Sequence, residues 1–384
     1  MAAQTYIAKT MHGLEELLAT ELQRIGAGEI RPLKRAVSFT GDKEMLYRAN
    51  YELRTALRIL LPVHSFKANN EREYYRQIRN IDWSEFLSVS GSLAVDAVVQ
   101  GEIFRHSQYA ALLTKDAIVD QFKDRYQRRP DVNTIGPHLR IHVKIVNNEC
   151  DISLDSSGDS LHRRSYRRDT VEAPMNEVLA AGLVMLSGWD GNSSFVDPMC
   201  GSGTIAIEAA LIATATPPQY KRPGFGFFKW PGFDQKLWDK IVKDGESKVK
   251  RPSFPIVAAD IDNRARNATG VNLMSAGLET TVRVEKIAFD KLAPPEPAGT
   301  LIANPPYDVR MKVEDVSTFY QAIGDRFKKS WTGWNACLFS ANRDALKSVG
   351  LRPSKRTTLF NGALECSFQQ FRLYEGSKVE KVVE

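Results

Sequence analysis

The apolar positions of this chain repeat at two different spacings, and the switches between them mark out its elements. Near the N-terminus YIAK (6–9) alternates as a strand. HGLEELLATELQRIGAG (12–28) puts Leu14, Leu17, Leu18, Leu22 and Ile25 on one helical face and stops at Gly26. VSFTG (37–41) predicts a second strand and MLYRANYELRTALRIL (45–60) a second helix. SLAVDAVVQ (92–100) reads as a strand, QYAALLTKDAIVDQFKDRYQ (108–127) as an amphipathic helix, and LRIHVKIVNNECDISLDSS (139–157) as a hairpin.

From Ala173 the pattern becomes a βαβ series. A helix over 173–189 leads to strand SFVDPM (194–199), a glycine turn and helix TIAIEAALIATA (204–215). Strands follow at PIVAADI (255–261), TVRVEKI (281–287), GTLIANPP (299–306) and NACLFSAN (335–342), with helices at 263–277 and 315–331. KRTTLF-NG-ALECSFQQFRLY (355–374) is a hairpin around an Asn-Gly pair. This alternation predicts an α/β fold with a doubly wound, Rossmann-like parallel sheet and a terminal antiparallel hairpin. The chain divides into a small α/β region (1–65), a second α/β module (66–158), a basic linker (159–172) and the doubly wound part (173–384). A long insertion, 217–254, interrupts the last with KRPGFGFFKWPGF, for which packing, a lid and RNA contact are all open readings.

Composition narrows the class. At 384 residues, 43% hydrophobic and 26% charged, the chain has material for two or three globular domains. Lys+Arg exceed Asp+Glu by 52 − 46 = 6, a mild basic excess compatible with a polyanionic partner. The longest apolar stretch, Val178–Leu186, is far short of the roughly 20 residues that span a bilayer, and no signal peptide is legible, so a cytoplasmic protein without membrane contact is expected. Four scattered cysteines and a His138/His142 pair on an alternating strand predict no metal site. All six histidines lie at or before His162, so chemistry in the C-terminal half must proceed without a local histidine base.

Three motifs carry that chemistry. DPMCGSGT (197–204) ends a strand and opens a helix, where doubly wound sheets bind ligands. Gly201 and Gly203 let a ligand approach the backbone, and Ala206 completes only the weak G-x-G-x-x-A variant. Asp197, beside Pro198, suits a ligand carrying an ammonium and would repel a pyrophosphate, which favours S-adenosylmethionine over a dinucleotide. AADID (258–262) places Asp260 at a strand end for two ribose hydroxyls, with Asp262 capping the next helix. Asp290 is the candidate for the adenine amino group, with Ala288 an alternative occupant of that slot. NPPY (304–307) is the decisive motif. A ring amine is a poor nucleophile until its nitrogen pyramidalises, and two acceptors aimed at its N–H bonds, the Asn304 side-chain oxygen and the Pro305 carbonyl, would favour that state. Pro305 and Pro306 stiffen the loop and Tyr307 can stack on an extruded base. In the linker, Arg163, Arg164, Arg167 and Arg168 surround Tyr166, read either as a solvated run or as phosphate contacts.

Together DPMCGSGT, AADID and NPPY resemble class I S-adenosylmethionine-dependent methyltransferases that modify exocyclic amines. LLTKDAIVDQF, LDSSGDSLHRRSYR and APMNEVLAAGL are similar to THUMP-containing RNA methyltransferases, and the likeness is nearest to the bacterial 23S rRNA guanine-N2 methyltransferase family. The resemblance covers nearly the whole chain. It implies a ferredoxin-like N-terminal region, a THUMP RNA-binding module at 66–158 and an enzyme methylating guanine N2 in 23S rRNA or a ribosome precursor. Adenine N6 in DNA or RNA remains an alternative target, and a non-catalytic RNA-binding assembly factor an alternative role. The chain departs from the family pattern in two places: Asp308-Val309 follows NPPY in place of Gly-Glu, with Arg310 retained, and Ser165 stands where glycine is usual.

Overall fold

The computed structural model describes residues 3–101, 104–170, 174–305 and 313–374. Pro306, Tyr307, the Asp308-Val309 departure and Arg310 lie outside the described residues. The chain forms two compact units: 1–10, 18–163 and 222–244 in the first, and 11–17, 164–221 and 245–384 in the second.

In the first unit the elements run β1 (Gln4–Lys9), α1 (Glu15–Arg24), β2 (Gly28–Leu33), β3 (Ala36–Gly41), α2 (Lys43–Glu52), β4 (Arg58–Lys67), α3 (Glu71–Asn80), β5 (Ser92–Gln100), α4 (Ser107–Tyr126), β6 (Asp131–Val132), β7 (Leu139–Val146) and β8 (Glu149–Asp155). One eight-stranded sheet, β2-β3-β1-β4-β8-β7-β5-β6, contains all of these strands. The long strand β4 pairs with β1 on one side and β8 on the other, so the expected boundary near residue 65 falls within a strand. The expected helix over 45–60 is therefore half right. Asp42 caps α2 by accepting the Met45 N–H, the helix stops at Glu52, and Arg58–Leu60 join the sheet. His138 and His142 form no pair: the His138 ring nitrogen bonds to Ser92, and His142 sits on β7, its imidazole pushed down to about 4 by burial.

The insertion belongs to this unit's core. Phe225 and Phe227 are buried, and Phe227 stacks on Tyr47 with ring centroids 4.3 Å apart. Trp238, on α7 (Gln235–Ser247), packs edge-on against Tyr51, Phe225 and Phe227. Of the three readings of KRPGFGFFKWPGF, packing holds for these rings.

The second unit is the doubly wound part. Its elements are α5 (Glu177–Leu186), β9 (Ser194–Asp197), α6 (Thr204–Ala213), β10 (Ile256–Asp260), α8 (Asn263–Ala276), β11 (Val282–Lys286), β12 (Gly299–Ala303), α9 (Val313–Ser330), β13 (Trp334–Ser340), α10 (Arg343–Lys347), β14 (Lys355–Asn361) and β15 (Leu364–Arg372). The sheet order is β11-β10-β9-β12-β13-β15-β14, parallel from β11 to β13, with the terminal hairpin adding β15 antiparallel to β13 and β14 antiparallel to β15 at the edge. Each of β9, β10 and β12 is almost wholly buried, as runs covered on both faces must be. The strand order reverses between β9 and β12. Their carboxyl ends therefore splay apart and open a crevice where such sheets bind ligands.

Candidate active site

Four strand ends meet at that crevice. Pro198, Gly201, Asp260, Ala288, Asp290 and Asn304 line one cavity of about 640 Å³. The motifs following β9, β10, β11 and β12 are thus brought together, although 103 positions separate Gly201 from Asn304.

The turn after β9 is shaped by its neighbours. Gly203 caps α6 with φ +82, and a Cβ there would lie 2.8 Å from Thr269 Cγ2, so both conformation and space demand glycine. Thr269 donates its hydroxyl to the Gly201 carbonyl at 2.9 Å. Asp260 accepts the Gly201 N–H at 3.0 Å and, through its other oxygen, the Asp262 N–H at 2.9 Å. Each carboxylate oxygen keeps a second lone pair for a ligand hydroxyl. Asp262 caps α8, accepting the Arg264 N–H, as read from the sequence. Cys200 sits in the cavity wall with its thiol pushed well up by burial, which suits packing and not nucleophilic attack.

Two expectations need correction. Asp197 was expected to face the ligand's ammonium, but it is 0% exposed and is not part of the cavity wall. Neither of its oxygens has a hydrogen-bond partner of full geometry. Burial, with the nearby Asp260 charge second, pushes its carboxyl up to about 8, against the opposing pull of the Met199 and Ala206 backbone N–H groups.

The arginine cluster is the second. Arg164 is fully buried, ion-paired at 2.9 Å with an equally buried Glu208 that also accepts the Tyr166 hydroxyl. Arg167 is engaged by Glu177. Neither guanidinium is presented to a nucleic acid, whereas Arg163 and Arg168 are exposed. Ser165, at φ +65, occupies the left-handed region where glycine is favoured, consistent with glycine being usual there.

One wall went unread in the sequence. Phe319, Ala322, Ile323 and Arg326 of α9 face the cavity, and Pro174 and Met175 close it from the segment before α5. The spacing 319, 322, 323, 326 is one helical face, a signal available in the sequence.

A profile of the RMKL-like methyltransferase domain matches residues 164–370, one of the RlmL ferredoxin-like domain residues 5–60, and one of the THUMP domain residues 68–155. The chain is 39% identical over 371 residues to a Synechocystis sp. protein named provisionally as an RNA methyltransferase, covering 96% of this chain and 97% of the relative. It is 36% identical over 382 residues to the ribosomal RNA large subunit methyltransferase K/L of Syntrophotalea carbinolica, covering 96% of this chain but only 54% of that protein. The chain spans about half the length of that relative. Among solved structures it resembles SMU.472, a provisional methyltransferase complexed with SAH, with TM-score 0.88, 26% identity, and coverage of 98% of this chain and 100% of the other.

Proposed function

The chain belongs to the RMKL-like methyltransferase family, and on that premise we propose that it transfers a methyl group from S-adenosylmethionine to the exocyclic N2 amine of guanine in 23S ribosomal RNA. The observation that carries this reading is the shared cavity: Asn304 and the Gly201-Ser202 turn border the same space.

The residues present fit the cofactor. Gly201, Ser202 and Thr204 of the glycine turn line the cavity, Asp260 offers acceptors for ribose hydroxyls, and apolar side chains such as Ile205, Phe289 and Ile323 flank the space. Asp290 and Ala288 both border the cavity, so either can meet the adenine ring. When bound, S-adenosylmethionine supplies an electrophilic methyl group on a sulfonium. Everything else is the chain's own work. Asn304 Oδ1 and the Pro305 carbonyl accept the two N–H bonds of the guanine amine, drawing the nitrogen lone pair out of conjugation and toward the cofactor. Tyr307, by its place in the motif, stacks on the base. The proton lost after transfer is acidic because the nitrogen has become cationic, which accords with a cavity wall without histidine among its described residues. The THUMP region and the exposed Arg163 and Arg168 hold the RNA by its phosphates. On this reading the THUMP-containing first unit delivers substrate and the doubly wound second unit carries the chemistry.

The test is direct. Ribosomal RNA from cells lacking the gene is incubated with the protein and labelled cofactor, then digested to nucleosides. N2-methylguanosine is the expected product. N6-methyladenosine would replace the guanine assignment with adenine, and no labelled nucleoside would refute the enzyme.

A further inference from the structure

Arg167 looks, in the sequence, like one of four cations available to RNA. Its side chain does something else. Nε donates to Glu177 Oε1 at 2.8 Å, Nη1 to Ser202 Oγ at 3.2 Å, and Nη2 to both the Met175 carbonyl at 2.9 Å and Thr204 Oγ1 at 3.1 Å. Met175 stands on one wall of the cavity, and Ser202 and Thr204 belong to the glycine turn on another. One planar guanidinium therefore ties two separate walls together. Glu177, half a turn beyond and only 5% exposed, fixes the fork's orientation and is not itself a wall residue.

A second clamp runs beside it. The fully buried Asn272 accepts the N–H groups of Arg168 and Asp169 at 2.7 and 3.0 Å, and its amide donates to the carbonyls of Asp169 and Ser202 at 2.8 and 3.0 Å. Ser202 is thus held twice, through its hydroxyl by Arg167 and through its carbonyl by Asn272, which also holds the 168–169 backbone. The turn closes on itself through the Gly203 N–H to the Cys200 carbonyl at 2.8 Å, and these outside contacts add to that bond at Ser202 and Thr204.

We propose that Arg167 is a positioning residue for the cofactor: it braces the Met175 wall against the Ser202–Thr204 turn, so its loss weakens cofactor binding and leaves RNA affinity intact. Arginine suits this role because a lysine has no rigid fork to reach four acceptors in two directions. The proposal rests on reading the cavity as the S-adenosylmethionine site, and the experiment separates the two.

S-Adenosylhomocysteine binding is measured by calorimetry, and RNA binding by filter retention across a salt series, for the wild-type protein, Arg167→Lys and Glu177→Gln. Failure of the wild-type protein to bind S-adenosylhomocysteine would refute the cofactor reading itself. With wild-type binding present, Arg167→Lys is expected to raise the S-adenosylhomocysteine Kd about tenfold or more while its RNA Kd and salt slope stay within about twofold. Glu177→Gln, which keeps the acceptor and frees the fork, is expected to raise the same Kd about threefold and serves alone if Arg167→Lys fails to fold. Unchanged cofactor affinity in the folded variants overturns the proposal. So does a weakened RNA Kd with a salt slope smaller by about one, which would mark Arg167 as a phosphate contact.

Discussion

The carboxylate of Asp260, at the end of β10, holds the backbone N–H of Gly201, in the turn after β9, at 3.0 Å. One acid therefore serves twice: it anchors the glycine turn of the neighbouring strand and keeps free lone pairs toward the cavity. Asp260→Asn retains the size of the side chain but can accept only one of the two N–H groups that Asp260 takes, from Gly201 and Asp262. Losing a charge-assisted hydrogen bond costs about 1.5–3 kcal/mol, so S-adenosylhomocysteine affinity should fall by roughly ten- to a hundredfold. Calorimetric titration checks this, and a Kd within twofold of wild type would show that Asp260 neither sets the turn nor meets the ligand.

Gly203→Ala tests the turn itself. The residue sits at φ +82 with Thr269 2.8 Å from the Cβ position, so the methyl meets both backbone strain and a close neighbour. A loss of about 1–3 kcal/mol in unfolding free energy is expected by chemical denaturation. Pairing it with Thr269→Ser, which removes the offending methyl, should recover part of the loss. Equal destabilisation in both backgrounds would leave strain as the whole cause.

The linker arginines separate by burial. Arg164→Leu strands the buried Glu208 carboxylate and should cost about 3–5 kcal/mol of stability, read as a lowered melting temperature. Arg163→Ala, at an exposed position, should leave the melting temperature unchanged and reduce the salt slope of RNA binding by about one. The reverse pattern would restore the reading of Arg164 as an RNA contact.

These arginines show where sequence reading ends. Charge counting sees four cations in six positions, but the partners that neutralise two of them, Glu208 and Glu177, come from helices whose packing is a tertiary fact. The same limit applies to 45–60. Leu46, Leu53, Leu57 and Leu60 keep near-helical spacing, yet β1 and β8 claim Arg58–Leu60, and only long-range pairing decides between the periods. Phe227 has its stacking partner Tyr47 180 positions earlier, out of reach of any local pattern. What was legible is what local chemistry dictates: the βαβ alternation, the Asn361-Gly362 hairpin, the glycine turn and the Asp262 cap. Those features place Gly201, Asp260 and Asn304 at strand ends by local pattern alone.

Asn304 can be isolated from binding. Asn304→Ala removes an acceptor proposed to act on the amine only as its nitrogen pyramidalises, so turnover should drop at least about a hundredfold while S-adenosylhomocysteine and RNA affinities stay within about threefold. Single-turnover methyl transfer measures the step directly. Parallel losses in cofactor affinity and rate would instead make Asn304 a wall residue of the cofactor site.

Asp197 should impose a pH dependence on stability. Its carboxyl rises from the ordinary 3.8 to about 8 because burial, and secondarily Asp260, penalise the anion in the folded state. The folded protein therefore binds a proton that the unfolded chain has already released between those two values. Stability linked to this group is complete below about pH 4, declines as pH rises, and is lost once pH passes about 8. Asp197→Asn keeps the shape and cannot ionise, so its melting temperature should fall less steeply over that window than the wild-type value, and the two curves should diverge most at the alkaline end. Measuring melting temperature against pH for both proteins decides it: parallel curves would mean that Asp197 is ionised and paired in the folded protein, and that the turn is held over a charge after all.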